Sequence, residues 1–336
     1  MHMADALLSP AVGTTMWGLA AGAIALSSRK VSRILDDRKV PLMGVMGAFI
    51  FAVQMINFSI PGTGSSGHLG GGLMLAILLG PHAAFLTMAS VLIVQALFFA
   101  DGGLLALGCN IFNLGIFPCF IAYPFIYLRL AGRGVVSRGR IITASIIAAI
   151  IGLQFGAFAV VLQTVLSGVA ELTLPGFALL MQPVHLAIGL IEGVATATVV
   201  LFLMSARPDI LDGMSVAAKQ QSKSLRGVLM ALVAVTVMIG GLLAWFASTD
   251  PDGLEWALQK VTGHEELVLP ESELHQSLQS LQEKTALLPD YEQPGHEGSR
   301  SGKSLSGLVG SGLVLLLTGG VAWLLRRPRS KAGKIG

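Results

Sequence analysis

The 336-residue chain is 53% hydrophobic and only 12% charged, with a formal charge of +3 and a mean hydropathy of +0.74. Ordinary globular proteins carry about 25% charged residues, so the chain lacks the polar side chains to solvate a compact body of this size. A bilayer must be the solvent for most of it. That excludes a soluble enzyme, a disordered scaffold and a disulfide-stapled secreted domain, and so small a net charge does not imply nucleic-acid binding.

Met1 to Pro10 has neither a basic n-region nor a small-residue cleavage site, so the sequence is expected to keep its first residue. Apolar runs of helical type follow near 11–28, 41–58, 69–80, 82–100, 103–128, 141–168, 182–206, 226–248 and 305–325. The expectation is an all-α integral membrane protein of about nine transmembrane helices: a seven-helix bundle over 1–206 and two appended helices over 226–325. The segment 69–100 reads as two crossings divided at Gly80-Pro81, because charge demands it. Eighteen of the 22 lysines and arginines lie in 29–40, 129–140, 206–226 and the tail. Two crossings put all four clusters on one side, which the positive-inside rule makes cytoplasmic. The N-terminus then lies outside, 207–225 is a cytoplasmic linker and 326–336 is a basic cytoplasmic tail. The polar stretch 249–304, with eleven carboxylates against four basic residues, falls outside, and Pro289 to Ser304 reads as a flexible tether. Cys109 and Cys119 sit in an apolar stretch as packing thiols.

Several motifs fail in context. Gly62-Thr63-Gly64-Ser65-Ser66-Gly67 matches the dinucleotide glycine pattern, but no strand and βαβ unit precede it and His68 replaces the lysine of a phosphate loop. No ATP hydrolysis is expected from this chain, nor any other enzyme activity. His264-Glu265-Glu266 starts like a zinc-protease helix, but Val268 stands where the second histidine belongs. The thirteen methionines are scattered through the spans as ordinary gap-fillers.

One constellation remains. With histidine at position 2 and a retained first methionine, the Met1 amine, the His2 amide nitrogen and His2 Nδ1 can close fused five- and six-membered chelate rings on one cation. His68, in the loop 59–68 on the same expected side and followed by Gly70, Gly71 and Gly72, can supply a fourth nitrogen. Four planar nitrogens suit Ni²⁺, low-spin Co²⁺ or Cu²⁺, whereas Mg²⁺ and Ca²⁺ want oxygen and Zn²⁺ a tetrahedron. Taken singly, His2 is also readable as a frayed surface residue and His68 as a loop or capping residue.

The chain resembles the nickel/cobalt substrate-binding membrane components of energy-coupling-factor transporters, the CbiM/NikM family. The resemblance rests on Met1-His2 with Asp5 and Leu8-Ser9-Pro10, Gly67-His68-Leu69 with Gly71-Gly72, Ile77 to Pro81, Gln95, Phe99-Ala100-Asp101-Gly102-Gly103, Asn110, Asn113, and His185 with Glu192-Gly193. Residues 225–325, with Pro251-Asp252-Gly253-Leu254-Glu255, look like the small accessory component fused to such proteins. The resemblance implies metal ligation by Met1, His2 and His68, Ni²⁺ or Co²⁺ as transported substrate with no resident cofactor, and a transmembrane coupling subunit with two ATPase subunits as partners in the cell membrane. The Leu8-Ser9-Pro10 start tilts the expectation toward nickel.

His185 and Glu192 are seven residues apart, about 10 Å along a helix, so they cannot hold one ion together. A carboxylate within a span costs roughly 2.5 kcal/mol or more to insert, which marks Glu192 either as a functional group or as a hydrogen-bonded brace. Asp101, Asn110 and Asn113 are expected to form a polar network behind the ligands that orients His68. His82 is expected at a solvated turn. The small-residue stripe Gly44, Ala48 and Ala52 is either a face for the coupling subunit or an internal contact. Two other functions fit the same residues: a self-sufficient proton-coupled carrier using His185 and Glu192, and a metal sensor signalling through His264, His275 and His296.

Overall fold

The computed structural model describes residues 2–35, 39–132, 134–168, 172–207, 214–215, 224–270, 272–296 and 298–326. Among the described residues, seven helices are long and apolar enough to cross a membrane: α1 (Pro10–Ile34), α4 (Pro81–Phe99), α5 (Leu107–Ala131), α6 (Arg138–Ser167), α7 (Leu174–Ala206), the span Leu225–Phe246 and α11 (Arg300–Leu325). The helical core of the sixth is α8 (Leu225–Gly241). Every one of the nine expected apolar segments is helical, but the second and third are short: α2 (Lys39–Gln54) has 16 residues and α3 (Gly72–Leu79) only eight. Eight residues rise about 12 Å, so α3 is a half-length element, in keeping with a run 69–80 that is too short for a full bilayer and that charge alone makes a crossing. The expected break is present, since Gly80 takes φ 83°, which a side chain would resist, and Pro81 opens α4.

Local chemistry sets the ends. Ser9 caps α1 by accepting from the Val12 amide, with Pro10 in the first turn, and Ser137 caps α6 through the Arg140 amide. Within α5 the stretch Phe112–Tyr127 is wound as a wider π-helix containing Pro118 and Pro124, which have no amide hydrogen to offer the tighter ladder. Before α3, Phe58–Ile60 (β1) and Ser65–Gly67 (β2) form an antiparallel hairpin in the register Phe58↔Gly67, with Gly62 and Gly64 at positive φ in its turn.

The two appended membrane helices are packed into the bundle. Gly44, Ala48 and Ala52 are buried, and a Cβ on Gly44 would lie 3.2 Å from the Leu315 carbonyl of α11. Ser311 of α11 donates to the Ala48 carbonyl at 3.4 Å. The small-residue stripe is therefore an internal contact and not an open face for another subunit. Gly310 answers it from α11, where a Cβ would fall 2.0 Å from Phe51 Cζ.

Between these helices, α9 (Gly253–Thr262) starts with a capping box in which Asp252 and Glu255 satisfy each other's backbone amides; α10 (Glu273–Thr285) follows. The stretch after Pro289 is anchored rather than a free tether. Leu287 and Leu288 donate to the Phe98 carbonyl at 2.9 and 3.1 Å, and Ser306 donates to the Tyr291 carbonyl at 2.8 Å. His82 is also not a solvated turn residue: it opens α4, lies 3.2 Å from Ser27 Oγ through Nδ1 and packs on Phe120. Most of the expected linker (208–213 and 216–223) and of the tail (327–336) lies outside the described residues.

Candidate metal centre

The start of the chain is pinned inside the protein. The Met3 amide donates to Asn110 Oδ1 at 2.8 Å, while Asn110 Nδ2 and the Gly103 amide donate to the Met3 carbonyl at 3.2 and 2.9 Å. Met3 and Leu8 are fully buried. Asp5 accepts from the Ala106 amide at 2.8 Å, and His275 of α10 donates through Nε2 to the carbonyls of Asp5 and Leu8 at 3.2 and 3.0 Å. His2 is therefore not a frayed surface residue; its side chain is only 7% exposed. Met1, the expected source of the terminal amine, lies outside the described residues.

His68 comes to the same place from the other direction. The hairpin β1–β2 and the glycines after it carry it inward, and Gly71, at φ 80°, has Ile50 where a side chain would go. Glu192 of α7 fixes the entry to α3 by accepting from the Gly70 and Gly71 amides at 2.7 and 3.1 Å. Gln54 donates to the Gly70 carbonyl at 2.8 Å and itself accepts from Gln95 at 2.8 Å. Glu192 is thus a brace for the segment that bears His68, its carboxyl oxygens placed against the amides that open a helix. His68 donates through Nδ1 to the Leu69 carbonyl at 3.1 Å, so its lone pair is on Nε2. Burial pushes its pKa down to about 3, which keeps the ring neutral.

The imidazoles of His2 and His68 stack with centres 5.0 Å apart and an 11° interplanar angle. Imidazole nitrogens bind metals at about 2.0–2.1 Å and in the plane of the ring, so these two near-parallel rings share one ion only once one of them turns. No three His, Cys, Asp or Glu side chains are grouped to hold a metal among the described residues. The pair opens onto a cavity of about 520 Å³ whose wall includes Asp101, Asp252, Glu255 and Tyr291. One detail departs from the expected chelate. His2 Nδ1 sits 2.9 Å from Asp101 Oδ1, and the buried Nε2 has no hydrogen-bond partner among the described residues. Binding through Nδ1 requires the ring to turn about Cβ–Cγ.

The polar network behind the ligands is differently wired from the expectation. Asp101 meets His2 rather than His68, Asn110 holds the Met3 backbone, and Asn113 pairs reciprocally with Gln163 at 2.7 and 2.9 Å. Burial alone would raise Asp101; the charge and hydrogen bond of His2 and a hydrogen bond from Tyr291 overcome it and hold the carboxyl below the usual carboxylate range. His185 does not line the cavity. Its Nδ1 donates to the Met181 carbonyl at 2.7 Å, and its ring lies under the start of α9, where a Cβ on Gly253 would be 3.2 Å from its Cε1.

Sequence reasoning did not single out Tyr291, His275 or Asp252 as parts of the site. Asp250, Pro251, Asp252 and Trp256 strap the hairpin: Ser66 donates to the Pro251 carbonyl at 2.7 Å, Ser59 to Asp250 at 2.8 Å, and Trp256 to the Thr63 carbonyl at 3.0 Å. The available signal was the lone tyrosine in an otherwise Pro-, Gly- and Glu-rich outer stretch.

Membrane-length helices surrounding a buried pair of imidazoles define a multi-pass membrane protein with a candidate transition-metal centre. Residues 2–210 match the family described as CbiM, cobalt uptake substrate-specific transmembrane region, and residues 226–327 match the PDGLE domain. The chain belongs to the CbiM family. It is 32% identical over 321 residues to the "Putative fused nickel transport protein NikMN" of Archaeoglobus fulgidus, covering 94% of this chain and 96% of that protein. To the fused nickel transport protein NikMN of Rhodobacter capsulatus it is 30% identical, covering 97% and 99%. The cobalt transport protein CbiM of Sorangium cellulosum is 33% identical and covers 64% of this chain. A crystal structure described as a truncated transition metal transporter superimposes with a TM-score of 0.52 at 32% identity, covering 61% of this chain and 98% of that one.

Proposed function

We propose that this protein is a nickel or cobalt transport protein that acts as the substrate-capture component of an energy-coupling-factor-type importer. The stacked His2 and His68 rings, 5.0 Å apart in a cavity edged with carboxylates, carry the reading. Two neutral imidazoles suit a borderline transition-metal ion, and the carboxylates draw cations inward without themselves forming a hard oxygen cage. The Met1 amine and the His2 amide complete a planar nitrogen set, and metal displaces the amide proton on binding. The chain sits in the cell membrane with its N-terminus outside and its C-terminus in the cytoplasm; a transmembrane coupling subunit and two ATPase subunits supply the energy for release inward.

Nickel is the first candidate, supported by the start Leu8-Ser9-Pro10 and by the names of the fused relatives that span nearly the whole chain. A proton-coupled carrier built on His185 and Glu192 gains no support, because Glu192 is committed to two backbone amides and His185 lies away from the cavity. The test is elemental analysis of the untagged, purified chain after growth in a defined mixture of nickel, cobalt, copper and zinc. Retention of nickel or cobalt, lost in His2→Ala and in His68→Ala, is the expected result. Equal retention by both variants contradicts the reading.

A further inference from the structure

Helix α10 comes from the appended part of the chain, yet one of its faces grips the two backbone segments that meet beside His2. His275 is fully buried, and its Nε2 lies 3.2 and 3.0 Å from the carbonyls of Asp5 and Leu8. A carbonyl oxygen only accepts, so Nε2 carries the hydrogen. Ser272 Oγ holds the other ring nitrogen at 2.6 Å and accepts from the His275 amide at 3.3 Å, which fixes the ring from behind. Seven residues on, and so on the same face about 10 Å along the helix, Gln282 donates to the Ala96 carbonyl at 2.9 Å and to the Gly102 carbonyl at 2.8 Å.

The two gripped segments, the chain start at 2–8 and the turn at 100–103, are themselves paired. The Gly103 amide donates to the Met3 carbonyl at 2.9 Å. Their seam is too tight for another side chain: a Cβ on Gly103 would fall 1.8 Å from Asp5 Oδ1, and one on Gly102 would fall 3.3 Å from His2 Cβ. A turn and a chain start have little stiffness of their own, whereas a 13-residue helix is a firm ruler. With His275 on one side of the seam and Gln282 on the other, α10 sets how closely the two backbones lie, and His2 sits at that seam.

We propose that His275 and Gln282 are positioning residues for metal binding: they clamp the chain start against the 100–103 turn and thereby seat the backbone nitrogen of His2 where the proposed chelate needs it. The inference rests on the reading in which the first nitrogens of the chain are ligands. The clamp acts on backbone alone, so it is compatible with the turn of the His2 ring that binding through Nδ1 requires.

The test uses the full chain with its native first residue. Nickel affinity is measured by competition titration, and amide exchange is followed at residues 3–8, in α6 and in α9. His275→Leu removes the donor, whereas His275→Gln keeps an N–H in its place. The expected result for His275→Leu is about tenfold weaker nickel binding, the low end of the range for partners that hold a ligand from behind. Exchange at 3–8 should quicken while α6 and α9 stay as protected as before. His275→Gln should recover most of the affinity, a rescue that a merely space-filling histidine would not show. Gln282→Leu, which leaves the buried histidine in place, should give a loss of the same size, and it carries the test if the His275→Leu chain does not fold. Unchanged affinity in the leucine variants, equal losses in His275→Gln and His275→Leu, or unchanged exchange at 3–8 overturns the proposal. Wild-type protein that binds no nickel overturns the ligand reading beneath it, which is a distinguishable failure.

Discussion

The two parts of the chain meet the candidate centre with different chemistry. Residues 2–206 bring the nitrogens, His2 and His68, and hold them with short bonds inside the bundle: Asn110 and Gly103 to the Met3 backbone, Glu192 to Gly70 and Gly71. Residues 225–326 bring oxygens and straps: Pro251, Tyr291 and His275, with Ser66, Asp101 and the turn at Asp5–Leu8 as their targets. Donor identity is thus a property of the first part, whereas donor attitude depends on both. Substitutions in the two parts should fail differently, and that contrast can be broken or sharpened by measurement.

The largest effect belongs to the nitrogens. His2→Ala or His68→Ala should weaken nickel or cobalt binding by more than about 100-fold, since even an outer partner of a metal ligand is worth 10–100-fold; competition titration measures it. Asn110→Ala should cost about 10–100-fold, because it frees both backbone groups of Met3 and lets His2 drift. Asn113→Ala should cost much less, as its short bonds go to Gln163 and it meets Met3 only at the sulfur, 3.8 Å away. If Asn113 matters as much as Asn110, the bundle holds the centre by a route other than the pinned chain start.

Glu192→Leu leaves two buried amides unpaired, at about 1–3 kcal/mol each, and should lower the thermal unfolding midpoint in detergent clearly more than Glu192→Gln, which keeps one acceptor. Asp252→Ala removes the cap of α9 and should cost about 1 kcal/mol, read as faster proteolysis within 253–262 while the bundle stays intact. The smallest effect is a pH dependence. Burial, with the charge of Asp252 beside it, raises Glu255 to about 7. A raised carboxyl favours the folded form while protonated, so its contribution is full below its ordinary value of 4.5 and fades as pH rises through about 7. The strap over the hairpin should accordingly loosen between about pH 4.5 and 7, seen as rising amide exchange in α9, and Glu255→Gln should flatten that rise.

Much of this architecture was legible from residues alone. Apolar run length located the seven membrane-length helices among the described residues, Gly80-Pro81 marked the break before α4, and the pairing of His2 with His68 was suggested by chelate chemistry. What escaped were relations that lie across the sequence. The run 69–80 is visibly short for a bilayer, but only the structure shows that its helix has no more than the eight residues Gly72–Leu79. The partners of Asp101 and Asn110 were misassigned because a polar residue in a span announces that it needs a partner, not which one. Tyr291 went unnoticed because its surroundings read as a tether, and only packing against Phe99 and Phe51 turns that tether into a fixed support.

The central claim is that the first nitrogens of the chain join His2 and His68 around the metal. Its most direct test compares the metal content of the untagged chain with that of the same chain bearing a short uncleaved extension ahead of Met1. The account predicts stoichiometric nickel or cobalt in the first and none above background in the second. An extended chain that retains the metal as fully as the untagged one would contradict it.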